Sequence, residues 1–126
     1  MELLELFRDW ENVVEHPAKT VIFSERDPAD VMYVILSGEV ELTLHGEPLG
    51  AESEGGIIGE MAMINAATRS ATATAISGVK LARLTRDEFK TFVDNNTEFA
   101  FHVMGVLANR LRAVDYYITT QFERFR

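Results

Sequence analysis

A chain of 126 residues, 47% hydrophobic and 25% charged, fits one soluble globular domain with a sizeable core. The absence of cysteine excludes disulfides, thiolate catalysis, Cys-based zinc sites and Cys-ligated iron–sulfur clusters, and suits a reducing cytoplasm. A net charge of −8 repels phosphate backbones and no apolar run reaches about 18 residues, so neither a nucleic-acid partner nor a membrane span is expected.

The first residues, MELLELFRDWENV, are acidic and amphipathic, unlike a secretory signal with its basic start. Leu3, Leu6, Phe7, Trp10 and Val13 or Val14 recur at helical spacing, predicting a helix from Glu2 to about Val14 that ends before His16-Pro17. From Thr20 the period changes to two. Val21 and Phe23, Val31 to Leu36, and Val40, Leu42 and Leu44 read as strands. Ser37-Gly38 reads as a tight hairpin and His45-Gly46-Glu47-Pro48 as a second turn. Ile57-Ile58 is a short buried strand, and Thr72 to Ile76 and Val79 to Leu84 follow around a Ser77-Gly78 turn. Many short strands with closely spaced turns predict a barrel or jelly roll.

Thr85-Arg-Asp-Glu88 is a capping box opening a helix whose apolar face is Phe89, Phe92 and Val93. Asn95-Asn96 breaks it, and a long helix follows from about Thr97 to Phe125. Within that helix Met104, Leu107, Leu111, Val114, Ile118, Gln121 and Phe125 alternate steps of three and four. This heptad pattern suits a two-helix dimer contact. Residues 97–126 set four arginines against Glu98, Asp115 and Glu123, so the acidic excess lies in the first 96 residues.

The most informative segment is Gly55 to Ala75, GGIIGEMAMINAATRSATATA. Glu60 is the lone acid and Arg69 the lone base of this stretch, and each is costly to bury without a partner. Gly55, Gly56 and Gly59 permit positive φ or close backbone approach. Small residues after Arg69 leave backbone N–H groups open. These parts suit a small anion with a hydroxylated flank: the arginine fork takes the phosphate, the carboxylate a hydroxyl. The plainer roles are an arginine paired with an acid on the barrel, a glutamate favourable to a helix dipole, and Ser70 as a small strand residue.

G59-E60-M61-A62 followed by R69-S70-A71 resembles the phosphate-binding cassette of the cyclic nucleotide-binding domain, the effector module of catabolite activator proteins and protein kinase A regulatory subunits. The separation of nine positions from Glu60 to Arg69 is similar to the kinase-type spacing. Val31–Leu42 resembles the strand pair before the cassette, and Val79–Phe89 the last strand and first C-terminal helix, so the likeness runs from about Thr20 to the C-terminus.

The resemblance implies an α+β, mainly β, fold: a double-stranded β-helix or jelly-roll barrel flanked by an N-terminal helix and C-terminal helices, the last one long. Residues 1–126 form one domain, with a lead-in over 1–19, the roll over 20–84 containing the cassette at 55–75, and helices over 85–126. It implies a ligand site built from Ile58, Gly59, Glu60, Met61, Ala62, Arg69, Ser70 and Ala71. Arg69 and Ser70, with the Ala71 N–H, would hold the phosphate. Glu60 would accept from the ribose 2′-hydroxyl, and the N–H groups of Met61 or Ala62 would face the phosphate or sugar. Three departures stand out. Ile58 replaces a frequent aromatic and Thr68 a common proline. On the long helix, Val114 and Asp115 stand where a hydroxyl side chain meets adenine in the catabolite activators. Asn109, Val114 and Asp115 are therefore the candidate base contacts, with Tyr116 or Tyr117 as substitutes.

His16, His45 and His102 are scattered, and no His-x-His pair of the cupin type is present, so no metal and no catalytic residue is assigned. The expectation is a non-enzymatic, cytoplasmic sensor of a cyclic nucleotide, cAMP ahead of cGMP, with no other cofactor. It would signal through its last helix and form a homodimer through residues 104–125 or contact a regulated partner protein. The alternatives are an interaction module with an empty pocket, a jelly-roll enzyme, or an effector domain excised from a catabolite-activator-type regulator. A helix-turn-helix domain would have to begin after Arg126, where this sequence stops, so a stand-alone domain is expected.

Overall fold

The computed structural model describes residues 3–64 and 68–124. A short helix α1 (Leu3–Leu6) precedes β1 (Val13–His16), β2 (Val21–Phe23), β3 (Val31–Ser37), β4 (Val40–Leu44), β5 (Glu47–Glu52) and β6 (Ile57–Ile58). A 3-10 turn (Glu60–Met63), β7 (Thr72–Ala75), β8 (Val79–Thr85), α2 (Arg86–Asn95) and α3 (Thr97–Arg124) complete the chain. The eight strands form two antiparallel sheets, ordered β1-β8-β3-β6 and β2-β7-β4-β5, in a jelly roll.

β3 explains how the roll and helices share one core. Its run Val31–Ile35 is buried throughout, because the strand is covered on both faces. Val31, Tyr33 and Ile35 point between the sheets towards Leu42, Ala73 and Leu81. Met32 and Val34 point the other way, into a cluster with Phe7, Leu84, Phe99 and Val103.

The N-terminal helix is shorter than its apolar spacing suggests. It stops at Leu6, and Val13–His16 is a strand paired with β8, Val13 opposite Ala82. The spacing reports burial instead. Leu3 and Phe7 are buried, Phe7 stacks on Phe92 at 5.0 Å, and the Trp10 indole N–H donates to the Arg83 carbonyl at 2.7 Å. β8 offers an edge that the following residues pair with, which outweighs continuing a helix.

Ser37-Gly38 and Ser77-Gly78 are not hairpins. Each carries the chain from one sheet to the other, and the two turns meet: a Cβ on Gly38 (φ 91°) would lie 2.2 Å from the Gly78 carbonyl oxygen. The β4–β5 turn holds only His45-Gly46, and Glu47-Pro48 already belongs to β5. That strand was hidden by its composition. It is a polar edge strand carrying Pro48 and Gly50, and Pro is tolerated at an edge.

The capping box forms as the sequence predicts: Thr85 Oγ1 accepts from the Glu88 N–H at 3.2 Å while Glu88 Oε1 accepts from the Thr85 N–H at 2.9 Å. Asn96 ends α2 in an extended conformation, and its Oδ1 accepts from the Phe99 N–H at 2.9 Å to open α3. Phe125, the last position of the heptad pattern, lies outside the described residues. Among the described residues, no helix is long and apolar enough to cross a membrane.

Candidate functional site

Between the β2–β7–β4–β5 sheet, the 3-10 turn and α3 lies a cavity of about 560 Å³. Arg69 is 6% exposed on its wall, and among the described residues its guanidinium makes no ion pair. It is held by aromatic faces, with Cζ 4.3 Å from the Phe23 ring centre and 5.8 Å from that of Tyr33. Its Nη1 donates to the Gly59 carbonyl at a long 3.5 Å, and its buried Nε–H has no partner among the described residues. Burial lowers the Arg69 pKa, with Tyr33, Asp30 and Asp27 acting in the opposite sense. A guanidinium starts so high that it stays charged.

The backbone fixes this residue on both sides. The Arg69 N–H donates to Asp27 O and its carbonyl accepts from the Arg26 N–H, each at 2.8 Å, beside an isolated bridge between Pro28 and Thr68. A charged donor fork, in no ion pair among the described residues, thus lines the cavity.

Glu60 lies across the cassette and is 2% exposed. Burial raises its pKa, and the Arg110 charge is the main influence in the other direction. Arg110 Nε is 3.3 Å from Glu60 Oε1, an ion-pair distance without hydrogen-bond geometry, since that oxygen has no hydrogen-bond partner among the described residues. The other Arg110 nitrogens are engaged: Nη1 donates to Glu52 Oε1 at 2.7 Å and Nη2 to the Ile57 carbonyl at 2.9 Å. Gly59 enters the 3-10 turn left-handed, φ 75° and ψ 15°. The Ala62 N–H donates back to Gly59 O at 3.2 Å, so that amide is already used.

Of the residues singled out in the sequence, Gly59, Glu60, Met61, Ala62, Arg69, Ser70 and Ala71 line the cavity together. Ile58 does not; it is fully buried between the sheets. Of the three candidate base contacts Val114 lines the cavity, while Asn109 and Asp115 do not. The Asn109 Oδ1 instead accepts from Arg112 at 3.0 Å. Asn65, Ala66 and Ala67 of the cassette lie outside the described residues.

Sequence reasoning missed the aromatic cradle of Phe23 and Tyr33, the lining residues Leu107 and Leu111, and above all Arg110. An arginine set between Leu107 and Leu111 on one helix was the available signal. It also missed Arg86, whose Nη2 donates to the Ala62 carbonyl at 2.8 Å and ties α2 to the cassette turn. Among the described residues no cluster of His, Cys, Asp and Glu could hold a metal ion.

The comparisons agree with this geometry. The family described as "Cyclic nucleotide-binding domain" matches residues 13–96, two thirds of the chain. The chain belongs to the cyclic nucleotide-binding domain family. It is 32% identical to a cAMP-dependent protein kinase regulatory subunit of Emericella nidulans, over 83% of this chain and 23% of that protein. It is 29% identical to a CRP-like cAMP-activated global transcriptional regulator of Mycobacterium tuberculosis, over 79% of this chain and 46% of that one. The chain thus spans between about a quarter and a half of these relatives. Among solved structures it superposes on the Thermus thermophilus catabolite activator protein with a TM-score of 0.75 and 26% identity, covering 95% of this chain and 59% of the other. A cAMP-bound EAL enzyme gives 0.61 at 34% identity, covering 90% and 32% respectively. The family is a regulatory, ligand-binding one.

Proposed function

We propose that this cyclic nucleotide-binding domain is a non-catalytic sensor of cAMP that signals through α3. The observation that carries the proposal is the buried guanidinium of Arg69, in no ion pair among the described residues, on a cavity that Glu60 also lines. Arg69, Ser70 and the Ala71 N–H bind the cyclic phosphate, and Glu60 accepts from the ribose 2′-hydroxyl. Gly59, Met61 and Ala62 shape the floor, backed by Ile58. Supporting cAMP over cGMP are the relatives named for cAMP and a lining that is mostly apolar around the α3 side. Supporting a signal through α3 is Arg110, which joins that helix to Glu52, Glu60 and the Ile57 carbonyl. A ligand that alters these bonds differs in affinity between helix arrangements, which is what a population shift requires. Cysteine-free composition supports a cytoplasmic setting.

Isothermal calorimetry with cAMP tests this directly. Arg69→Ala is expected to abolish measurable binding while circular dichroism remains that of the wild type; unchanged affinity overturns the assignment.

A second reading is favoured by the surface of α3. Met104, Leu111, Ile118 and Phe122 are exposed there, consistent with a homodimer or a partner protein docking over residues 104–125. Such a module could equally be the effector part of a longer regulator, since the matched relatives are much longer. Sedimentation equilibrium separates the cases: a nucleotide-independent dimer that binds no cAMP supports the interaction module.

A further inference from the structure

The distal half of α3 touches the roll at a place the cavity does not account for. Among the described residues, Val114 is the last that α3 lends to the lining. One turn further on, the Tyr117 hydroxyl lies 3.3 Å from Nδ1 of His45, and the two rings meet edge to face with centroids 6.4 Å apart. His45 Nε2 lies 3.7 Å from Glu25 Oε2, and Glu25 Oε1 accepts from the His45 N–H at 2.8 Å. With its proton on Nε2 the imidazole turns a donor towards the carboxylate and leaves Nδ1 to accept from the hydroxyl.

The turn that carries this ring does not itself call for histidine. His45-Gly46 is a two-residue hairpin loop with φ 52° and 79°, both left-handed, and such loops favour Asn or Asp before the glycine. The ring's two partners supply the reason that the loop lacks. Glu25 is anchored in turn: its N–H donates to Thr72 Oγ1 at 3.0 Å, and its neighbours Arg26 and Asp27 hold the backbone of Arg69.

We propose that Tyr117, His45 and Glu25 form a clasp that fastens the distal half of α3 to the β4–β5 turn, with His45 and Tyr117 as positioning residues for the helix bordering the cavity. Arg110, seven positions before Tyr117 and about 10 Å away along the axis, fastens the same helix to Glu52 and the Ile57 carbonyl. Leu111 and Val114, which line the cavity, fall between the two ties. Opening the clasp frees α3 beyond Arg110 and lets a bound molecule leave faster; this second effect rests on the cyclic-nucleotide reading above.

Amide hydrogen exchange of the whole chain without nucleotide tests the clasp itself. Tyr117→Phe, which removes only the hydroxyl, is expected to speed exchange over residues 114–121 about threefold and to leave residues 99–106 unchanged. His45→Asn keeps a residue suited to the turn, removes the ring, and should do at least as much. The double variant should match His45→Asn alone, because a single contact is lost. Wild-type exchange over 114–121 in both single variants, or additive effects of the two, overturns the proposal. Displacement of bound cAMP reads the consequence at the site: release about threefold faster in each variant supports it, and unchanged release overturns the positioning role. A wild-type chain that binds no cAMP overturns the sensor reading, while the exchange comparison still decides the clasp.

Discussion

A side chain on Gly59 would place its Cβ 2.6 Å from Nη1 of Arg69. The glycine that opens the cassette turn and the arginine that closes the cassette thus occupy adjoining space, and the guanidinium holds its position only because Gly59 has no Cβ. The same residue has φ 75°, which an L side chain adopts at a cost. Gly59→Ala is expected to lose about 1–3 kcal/mol in urea unfolding, the usual range for a left-handed non-glycine residue. It should also weaken cAMP binding more than its stability loss would suggest, because the arginine must shift. Wild-type affinity in this variant would show that the arginine is not where the ligand sits.

Arg110 ties α3 to the cassette through the Ile57 carbonyl and Glu60. Its loss leaves Glu60, 2% exposed, without its nearest cation, while Glu52 can turn to water. Breaking such a pair leaves an uncompensated buried charge, so Arg110→Ala is expected to cost about 2–3 kcal/mol, at or below the range for fully buried pairs because Arg110 is itself partly exposed. Glu60→Gln in the same background should restore much of it. A double-mutant cycle by chemical denaturation measures the coupling, and additivity would deny the link.

Burial raises the Glu60 pKa above its ordinary 4.5. A carboxyl whose folded value exceeds its unfolded value holds more protons when folded, so its favourable contribution is complete below 4.5 and disappears as pH rises through the folded value. Relative to Glu60→Gln, the unliganded wild type should therefore lose stability as pH rises across that window, then level off. Ligand affinity runs the other way. On the proposed contact, in which the ribose hydroxyl donates to the carboxylate, cAMP binding should weaken as pH falls through that raised value, and Glu60→Gln should flatten that dependence. Calorimetry across that window checks the second effect.

Thr85→Ala removes the cap of α2 and should cost about 1 kcal/mol, by the usual value of an N-cap hydroxyl. Arg86 follows this cap directly and holds the Ala62 carbonyl, so the variant is also expected to raise amide exchange in the Glu60–Met63 turn. Protection there equal to wild type would separate α2 from the cassette.

The cassette was readable because its chemistry is compressed into one segment: an acid, a base and glycines within a stretch otherwise free of charge. β3, β4 and the capping box were readable from local pattern. What escaped was nonlocal. Leu3, Leu6, Phe7 and Trp10 show helical spacing because they pack on α2, yet among the described residues of that stretch only Leu3–Leu6 is helical. Ser37-Gly38 has hairpin chemistry, but strand pairing decides which sheet receives β4. Phe23 and Tyr33 look like ordinary strand aromatics, and nothing in their neighbourhood announces an arginine arriving from Arg69. Arg110 is remote in sequence from Glu52 and Glu60, so only the docked helix reveals its partners.

The paired amide bonds joining Arg69 to Arg26 and Asp27 have an implication for transmission. A strain applied at the guanidinium cannot be absorbed by the cassette alone, because the peptide unit behind it is buttoned to the segment between β2 and β3. That segment contributes Ala29 to the cavity rim yet is covalently remote from the carboxylate and the glycines. Ligand occupancy is accordingly expected to alter amide exchange in the segment between β2 and β3 as well as in the cassette.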